Sequence, residues 1–175
     1  MTIKTILIEP DKVLRQISKP VTRVDKDEQK LMDDMLDTMY SANGIGLAAI
    51  QIGVPKRIIV MDISREKNEK NPIYFVNPII KVKNLEKSLY EEGCLSVPDQ
   101  FAEIERSSKC DVEYLDYSGE KKLLKAEGLL ATCIQHEIDH LEGILFIDYL
   151  SKLKKSMIVK KLFKTKKENI DRIVV

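Results

Sequence analysis

The chain is predicted to fold as an α+β domain. Segments with strand-like composition gather in the middle of its 175 residues, and segments with helical periodicity lie towards the two ends. Regular alternation of strands and helices, which would favour an α/β sheet, is absent. The length suits one hydrophobic core, and 43% hydrophobic with 33% charged residues is ordinary for a globular protein.

The first helix is predicted to begin after Asp25, a residue type that caps helices, with Glu28 three residues further on as in a capping box. Asn43-Gly44 provides a plausible end. Between these points apolar side chains recur at helical spacing, and the simplest interpretation is core packing: Leu31, Met32, Met35, Leu36, Met39 and Tyr40.

The middle of the chain predicts short strands, because β-branched and aromatic residues alternate there with polar ones. These strands are expected at residues 57–63, 73–76, 79–82, 111–117 and 121–124, with a turn at Ser118-Gly119. A second helix is expected from about Glu127 to Gly143. A third, basic and amphipathic, is expected at about residues 150–167.

Residues 44–49 fit the loose pattern of a dinucleotide-binding loop. Such a loop needs a strand before its glycines and a helix after them. Here a helix is predicted before them, and residues 50–54 look extended. Nucleotide binding is therefore not expected. The glycines would instead let the backbone approach a ligand closely, with the Gln51 amide beside it.

Both histidines of the chain, His136 and His140, lie four residues apart in one predicted helix. At about 100° per residue, their side chains point in nearly the same direction and can share one metal ion. Glu137 lies on an adjacent face, where a carboxylate can act as a general base. The alternative is an accidental pair on a solvated helix. Apolar neighbours that would bury the helix weigh against it: Leu129, Leu130, Ile134 and Leu141.

A catalytic site of this kind needs a third ligand and one open position, and two cysteines compete for the role. Cys133 lies on the same helical face, but three ligands along one face span roughly 10 Å and cannot easily surround one ion. Cys94, next to Gly93, comes from a separate segment and is favoured, without excluding Cys133. Cys110 is most simply a buried core thiol.

The basic residues are unevenly distributed. From residue 151 onward there are nine Lys or Arg and two Asp or Glu, whereas the rest of the chain has a small acidic excess. This tail is either a solvated helix face or a site for an anionic partner. No apolar run reaches the roughly 20 residues of a membrane span, and the first residues lack the pattern of a secretory signal. A cytoplasmic protein without disulfides or membrane association is therefore expected.

Three separated segments resemble the peptide deformylase family. Its first motif is matched by Gly44, Gly46, Leu47, Ala48, Ala49 and Gln51. The second is matched by residues 92–96 and the third by residues 135–141, running on to Gly143. The order and approximate spacing agree, and the resemblance extends to about residue 150. It implies an α+β fold in which short, mostly antiparallel strands pack around a central metal-binding helix, with a C-terminal helix.

The resemblance also implies an activity, namely removal of the formyl group from the N-terminal formylmethionine of nascent polypeptides. Implied roles are metal ligation by Cys94, His136 and His140, general base catalysis by Glu137, and oxyanion stabilisation by Gln51 and the Leu95 amide. The implied metal is Fe(II), with Zn(II), Ni(II) or Co(II) as alternatives. The substrate is expected as an added strand. Its binding residues would be Ile45, Gly46, Gly93, Leu129 and Cys133.

Residues 1–150 would form the catalytic part, and residues 151–175 a basic helix and tail of the same domain that could dock on the ribosome. Sequence-specific nucleic-acid binding is not expected. Phe101 departs from the arginine of some family members, and Thr132 and Tyr90 from commoner aliphatic pocket residues. Two other functions fit the helix motif: a metallopeptidase, and a non-catalytic metal-binding module whose site a fourth protein ligand closes.

Overall fold

The computed structural model describes residues 2–64 and 69–171, with side chains as far as residue 164. Within these residues lie three helices: α1 (Lys26–Ser41), α2 (Gly128–Leu141) and α3 (Lys152–Asp171). The strands are β1 (Gly46–Ala48), β2 (Ile58–Met61), β3 (Ile73–Lys83), β4 (Lys87–Cys94), β5 (Val97–Ser107), β6 (Lys109–Leu115) and β7 (Lys121–Glu127). Short 3₁₀ helices lie at Lys12–Arg15, Ala49–Ile52 and Phe146–Tyr149.

Five strands form one sheet in the order β1-β2-β3-β6-β7, and every neighbouring pair is antiparallel. β4 and β5 leave this sheet between β3 and β6 and form a separate antiparallel pair. The predicted α+β class with antiparallel strands is confirmed.

The larger sheet is covered on both faces, as β2 demonstrates. Alternate side chains of a strand point to opposite faces, and all four residues of β2 are buried. Ile58 and Val60 pack in the same cluster as the α1 methionines, whereas Ile59 and Met61 pack in the cluster that contains Ile134 of α2. One helix therefore covers each face.

α1 begins and ends close to the predicted positions. The Asp25 carboxylate caps it by accepting the backbone N–H of Asp27 at 3.0 Å. Met32, Met35 and Met39 are fully buried, which confirms that this stripe is core packing. Asn43, just beyond the helix, has a φ of 55° and turns the chain towards β1.

α2 occupies the centre of the molecule, between the larger sheet and the β4–β5 pair, and contacts both. A third apolar cluster holds β5 against the end of the chain, with Val97 and Ile104 packed near Phe146 and Leu162 of α3. The helix that carries both histidines is thus held from several sides.

Two local features differ from the sequence-based expectations. Residues 50–54 were expected to be extended, but the 3₁₀ helix Ala49–Ile52 overlaps them and is followed by Gly53, which has a φ of 82°. The Gln51 side chain accepts the backbone N–H of Ala48 and closes this turn, which hydrophobic periodicity does not reveal. The β4–β5 pair was not expected, because charged residues on its exposed face mask the strand pattern.

In the part of the chain that the structure describes, no helix combines the length and the apolar character needed to cross a membrane.

Candidate metal centre

His136 and His140 lie one turn apart on α2, as their spacing predicts. Both are buried, at 8% and 1% exposure, and their ring centroids are 5.0 Å apart. The rings are nearly perpendicular, with an interplanar angle of 79°. Their nitrogens can therefore approach one point from different directions.

Cys94 completes this cluster from the last position of β4. Its Sγ lies 3.2 Å from Nε2 of His140. Each of Cys94, His136 and His140 offers one ligand atom, and these three atoms all lie within 4.8 Å of one another. Among the described residues, this is the one group of three or more His, Cys, Asp or Glu side chains placed to hold a metal ion. Cys133 lies outside the cluster.

Cys133 instead lines the adjacent cavity. Burial, together with the negative charges of Glu137 and Glu92, raises the pKa of its thiol to about 12. Ligation requires the thiolate, so this environment suits a wall residue better than a ligand. Cys110 is buried in β6, as expected of a core thiol.

A charged network that the sequence analysis did not identify orients His136. Its Nδ1 lies 2.8 Å from the Glu92 carboxylate, which in turn accepts hydrogen bonds from Arg106. Arg106 also donates to Asp139 at 2.8 Å. Because Nδ1 is committed to Glu92, the Nε2 atom of His136 is the one directed to the cluster.

Burial of the Glu92 carboxylate is offset by this pairing. Burial would raise the pKa of Glu92, but hydrogen bonds from His136 and Arg106 outweigh it and lower that pKa. Glu92 therefore stays ionised as an acceptor. Glu92 directly precedes Gly93-Cys94 in the sequence, so it belongs to a segment that the motif already marked. Arg106 lies on another strand, and no sequence pattern around it indicates a role at the site.

Glu137 lies beside the cluster and is 5% exposed. Its Oε2 atom is buried and has no hydrogen-bond partner. Burial is the largest effect on this carboxyl group and raises its pKa to about 7, although the nearby His136 counteracts the shift. A carboxyl group with this pKa is suited to accept and return a proton near neutral pH.

Gly46 provides the space for this carboxylate. A Cβ atom at position 46 would lie 2.9 Å from Cδ of Glu137 and closer still to Oε1. Its backbone therefore approaches Glu137 at a distance that a side chain would prevent.

Hydrogen bonds fix the orientation of the Gln51 amide. Its Oε1 accepts the backbone N–H of Ala48 at 2.8 Å, so Nε2 is the end directed towards Cys94. Nε2 donates to Ser96 Oγ at 3.1 Å and lies 3.6 Å from Cys94 Sγ. A donor held in this way next to a reacting carbonyl can stabilise negative charge.

A cavity of about 500 Å³ opens onto the cluster. Every residue predicted to bind substrate lies on its wall: Ile45, Gly46, Gly93, Leu129 and Cys133. Leu95 and Gln51 line it as well, and so do Tyr90, Phe101 and Thr132. The three sequence segments that carry the motifs thus meet around one cavity.

The donor set fits a single divalent metal ion. One thiolate and two imidazoles are common ligands of zinc and of other late first-row metals. The cluster offers three ligand atoms among the described residues, which leaves one tetrahedral position open for solvent or substrate.

The comparisons with known proteins agree with this geometry. Residues 3–156 match the family model described as polypeptide deformylase. A peptide deformylase of Pelagibacter ubique is 75% identical over 170 residues, which cover 97% of this chain and 99% of that protein.

Two solved structures of a peptide deformylase from Ehrlichia chaffeensis are also similar. One has a TM-score of 0.92 with 42% identity and covers 97% of this chain and 99% of its own. The other, in complex with actinonin, has a TM-score of 0.91 with 44% identity, covering 94% and 98%. Since a family model matches most of the chain and a relative aligned over nearly its full length shares three quarters of the residues, the chain belongs to the peptide deformylase family.

Proposed function

We propose that Cys94, His136 and His140 hold the metal ion of this deformylase, and that Glu137 handles the proton of the reaction. The chain is a metal-dependent hydrolase that removes the formyl group from the N-terminal formylmethionine of nascent polypeptides and releases formate. The observation that carries the residue assignment is the cluster of three ligand atoms within 4.8 Å of one another, beside a buried carboxylate.

A bound divalent ion supplies Lewis acidity, which lowers the pKa of water and polarises the formyl carbonyl. Glu137 takes the proton from the attacking water as the new C–O bond forms at the formyl carbon. It then returns that proton to the methionine nitrogen as the C–N bond breaks. The products are formate and a free amino terminus. The unpaired Oε2 of Glu137 supports this role, because it has no competing partner.

Gln51 and the backbone N–H of Leu95 stabilise the negative charge that develops on the formyl oxygen. Support for Gln51 comes from its fixed amide, which keeps Nε2 on the side of Cys94. Leu95 follows Cys94 directly in the chain and lines the same cavity. The Gln51 donor is held before the substrate arrives, so its amide needs little reorganisation during the reaction.

The methionine side chain enters the apolar part of the cavity between Ile45, Leu129 and Cys133. The substrate backbone adds beside β4, whose outer edge has no strand partner in the described residues. Gly46 and Gly93 line the same cavity as the three residues of this pocket.

The assignment of Glu137 is tested with matched formylated and unformylated peptides and a Glu137→Gln variant. The wild-type chain should release formate from formyl-methionyl peptides and leave the unformylated peptides uncleaved, which a metallopeptidase would not do. Glu137→Gln should retain its metal but lose roughly 10²–10⁴-fold or more in turnover. Near-normal turnover of this variant with full metal content would refute the assigned role.

We infer that the metal is Fe(II), which the family resemblance favours, although Zn(II), Ni(II) and Co(II) also suit these donors. Metal analysis of protein purified without oxygen tests this inference. An Fe(II) form should lose activity in air as the metal and the thiolate oxidise, and a zinc form should not. Active protein purified in this way that contains zinc, nickel or cobalt in place of iron would contradict it.

We also infer that residues 151–175 belong to the same domain and dock on the ribosome from the cytoplasm. Leu162 of α3 is buried against the body, and six lysines without an acidic residue occupy positions 152–164. A helix with this excess of positive charge can contact anionic RNA. Ribosome co-sedimentation that survives replacement of these lysines by glutamine would overturn the docking assignment.

A further inference from the structure

A second cavity, of about 550 Å³, lies between β5 and α3. We call it the α3 groove. One wall is residues 100–103 of β5, and the other is formed by Leu150, Lys154, Met157, Ile158 and Lys161. We propose that the α3 groove binds the residues that follow the formylmethionine of a longer substrate, at about positions four to six. The proposal rests on the deformylase function and adds a second contact region for the same substrate.

The first support is continuity with the catalytic cavity. Gln100 and Phe101 lie on the walls of both cavities. Phe101 on β5 pairs with Gly93 on β4. Its ring covers Gly93, because a Cβ atom added at position 93 would lie 2.6 Å from Phe101 Cε1. The ring therefore lies on the surface between the two cavities and offers an apolar path from one to the other.

The second support is the unpaired edge of β5. β5 pairs with β4 on one side, and in the described residues no strand pairs with its other edge. Four consecutive residues of this strand, 100–103, line the α3 groove. Backbone N–H and C=O groups on an open edge can bind an extended peptide without regard to its sequence, which suits an enzyme that acts on many different nascent chains.

The third support is the chemistry of the two walls. Phe101 and Met157 are 66% and 63% exposed, and these two large apolar side chains lie on facing walls of the groove. Lys154 and Lys161 lie on the same wall as Met157, and Glu103 lies on the facing wall. An extended chain with mixed apolar and charged residues fits this surface.

The distance is compatible with this path. Neighbouring strands lie about 4.8 Å apart, so a chain that leaves the outer edge of β4 and crosses both strands travels on the order of 10–15 Å. An extended chain covers about 3.3 Å per residue. Three or four residues after the methionine therefore suffice to reach the α3 groove.

The test compares kcat/KM for a formyl-Met-Ala dipeptide and a formyl-Met octapeptide in the full-length chain. Met157→Glu is the test variant. Phe163→Glu is the matched control, because Phe163 is similarly exposed at 55% on α3 but does not line the groove. The dipeptide is too short to reach the groove, so its kcat/KM reports on the catalytic centre alone. A failure of the catalytic assignment would therefore appear in dipeptide turnover. Binding in the groove changes only the ratio of the octapeptide kcat/KM to the dipeptide kcat/KM.

In Met157→Glu the ratio should fall about tenfold, equivalent to ~1.4 kcal/mol of binding, and Met157→Leu should restore it. Phe163→Glu should leave the ratio at the wild-type value. An unchanged ratio in Met157→Glu, or an equal fall in both glutamate variants, would overturn the proposal. Reduced ribosome binding with an unchanged ratio would also overturn it, since the surface would then serve that partner.

A mapping experiment checks the path directly. An unformylated product octapeptide carrying benzoylphenylalanine at position five should crosslink to β5 or α3 around the groove. Crosslinks confined to residues 87–91 of β4 would mean that the substrate continues along β4, and the proposal would be wrong.

Discussion

The absence of a side chain at Gly46 leaves the space that the Glu137 carboxylate occupies, because a single added carbon atom there would collide with Glu137. Gly46→Ala should displace the carboxylate and lower kcat by about tenfold or more while metal content stays normal. Formate release together with metal analysis measures this.

Gly53→Ala serves as the contrast for Gly46→Ala. Gly53 has a φ of 82°, and a Cβ atom there would make only an ordinary contact with Leu7 at 3.8 Å, so the strain is in the backbone alone. We expect Gly53→Ala to lower the free energy of unfolding by about 1 kcal/mol with little change in kcat. If both variants lose kcat equally, steric exclusion at Gly46 is not the explanation.

The two cysteines near α2 give a second prediction at the residue scale. Cys94→Ala should lose the metal, since one of three ligand atoms disappears. Cys133→Ala should keep it and change only the fit of the methionine side chain, because Cys133 lines the cavity outside the cluster. The opposite result, with metal retained in Cys94→Ala and lost in Cys133→Ala, would reverse the ligand assignment.

At the scale of elements, Arg106 joins β5 to both β4 and α2. Its buried guanidinium binds Glu92 and Asp139, so it holds the strand that carries Cys94 against the helix that carries the histidines. Burial alone would lower the pKa of Arg106, but the two carboxylates raise it, and the group stays charged.

Arg106→Met should leave two acidic groups without their cation and lower the free energy of unfolding by about 3 kcal/mol or more. Lys109→Met is the matched control, because Lys109 pairs with Glu127 at the surface and such pairs contribute little. Urea unfolding of both variants in the presence of chelator compares them without the metal. Equal effects would show that Arg106 does not link these elements.

Metal affinity should also respond to Arg106, since Glu92 orients His136. A loss of about 10- to 100-fold is typical when the partner of a ligating histidine is disturbed.

At the scale of the whole molecule, acid should destabilise the fold because several carboxylates are better stabilised in the native state than in the unfolded chain. Asp62 is an example. Burial raises its pKa, but hydrogen bonds from Ser64, Tyr40 and Asn71 outweigh burial and lower it. The stabilisation is complete above the unfolded-state pKa of about 4 and disappears as the pH falls through the lower native-state value.

Asp62→Asn should therefore reduce stability at neutral pH and flatten the acid limb of the stability curve below about pH 4. Chemical unfolding at a series of pH values measures the slope. An acid limb as steep as that of the wild type would mean that the Asp62 carboxylate does not contribute.

Local patterns in the sequence were sufficient for much of the fold. The capped start of α1, its methionine stripe and the four-residue spacing of His136 and His140 all reflect interactions within one or two helical turns, and the structure contains them. Two elements were not predicted. In the β4–β5 pair, exposed charged residues mask the strand pattern. In the 3₁₀ helix Ala49–Ile52, a side-chain hydrogen bond closes a turn that hydrophobic periodicity does not reveal.

By itself, the sequence determined the helix that presents two imidazoles and a carboxylate, and through three motifs it indicated the family. Only the tertiary structure decided which cysteine joins the histidines, because Cys94 and Cys133 differ in direction rather than in residue type. The contacts of Arg106 with Glu92 and Asp139 and the walls of the α3 groove were likewise known only from the tertiary structure, because their residues are distant in the chain. Such contacts arise when separate elements pack together, and a pattern read along the chain contains no information on the angle at which they meet.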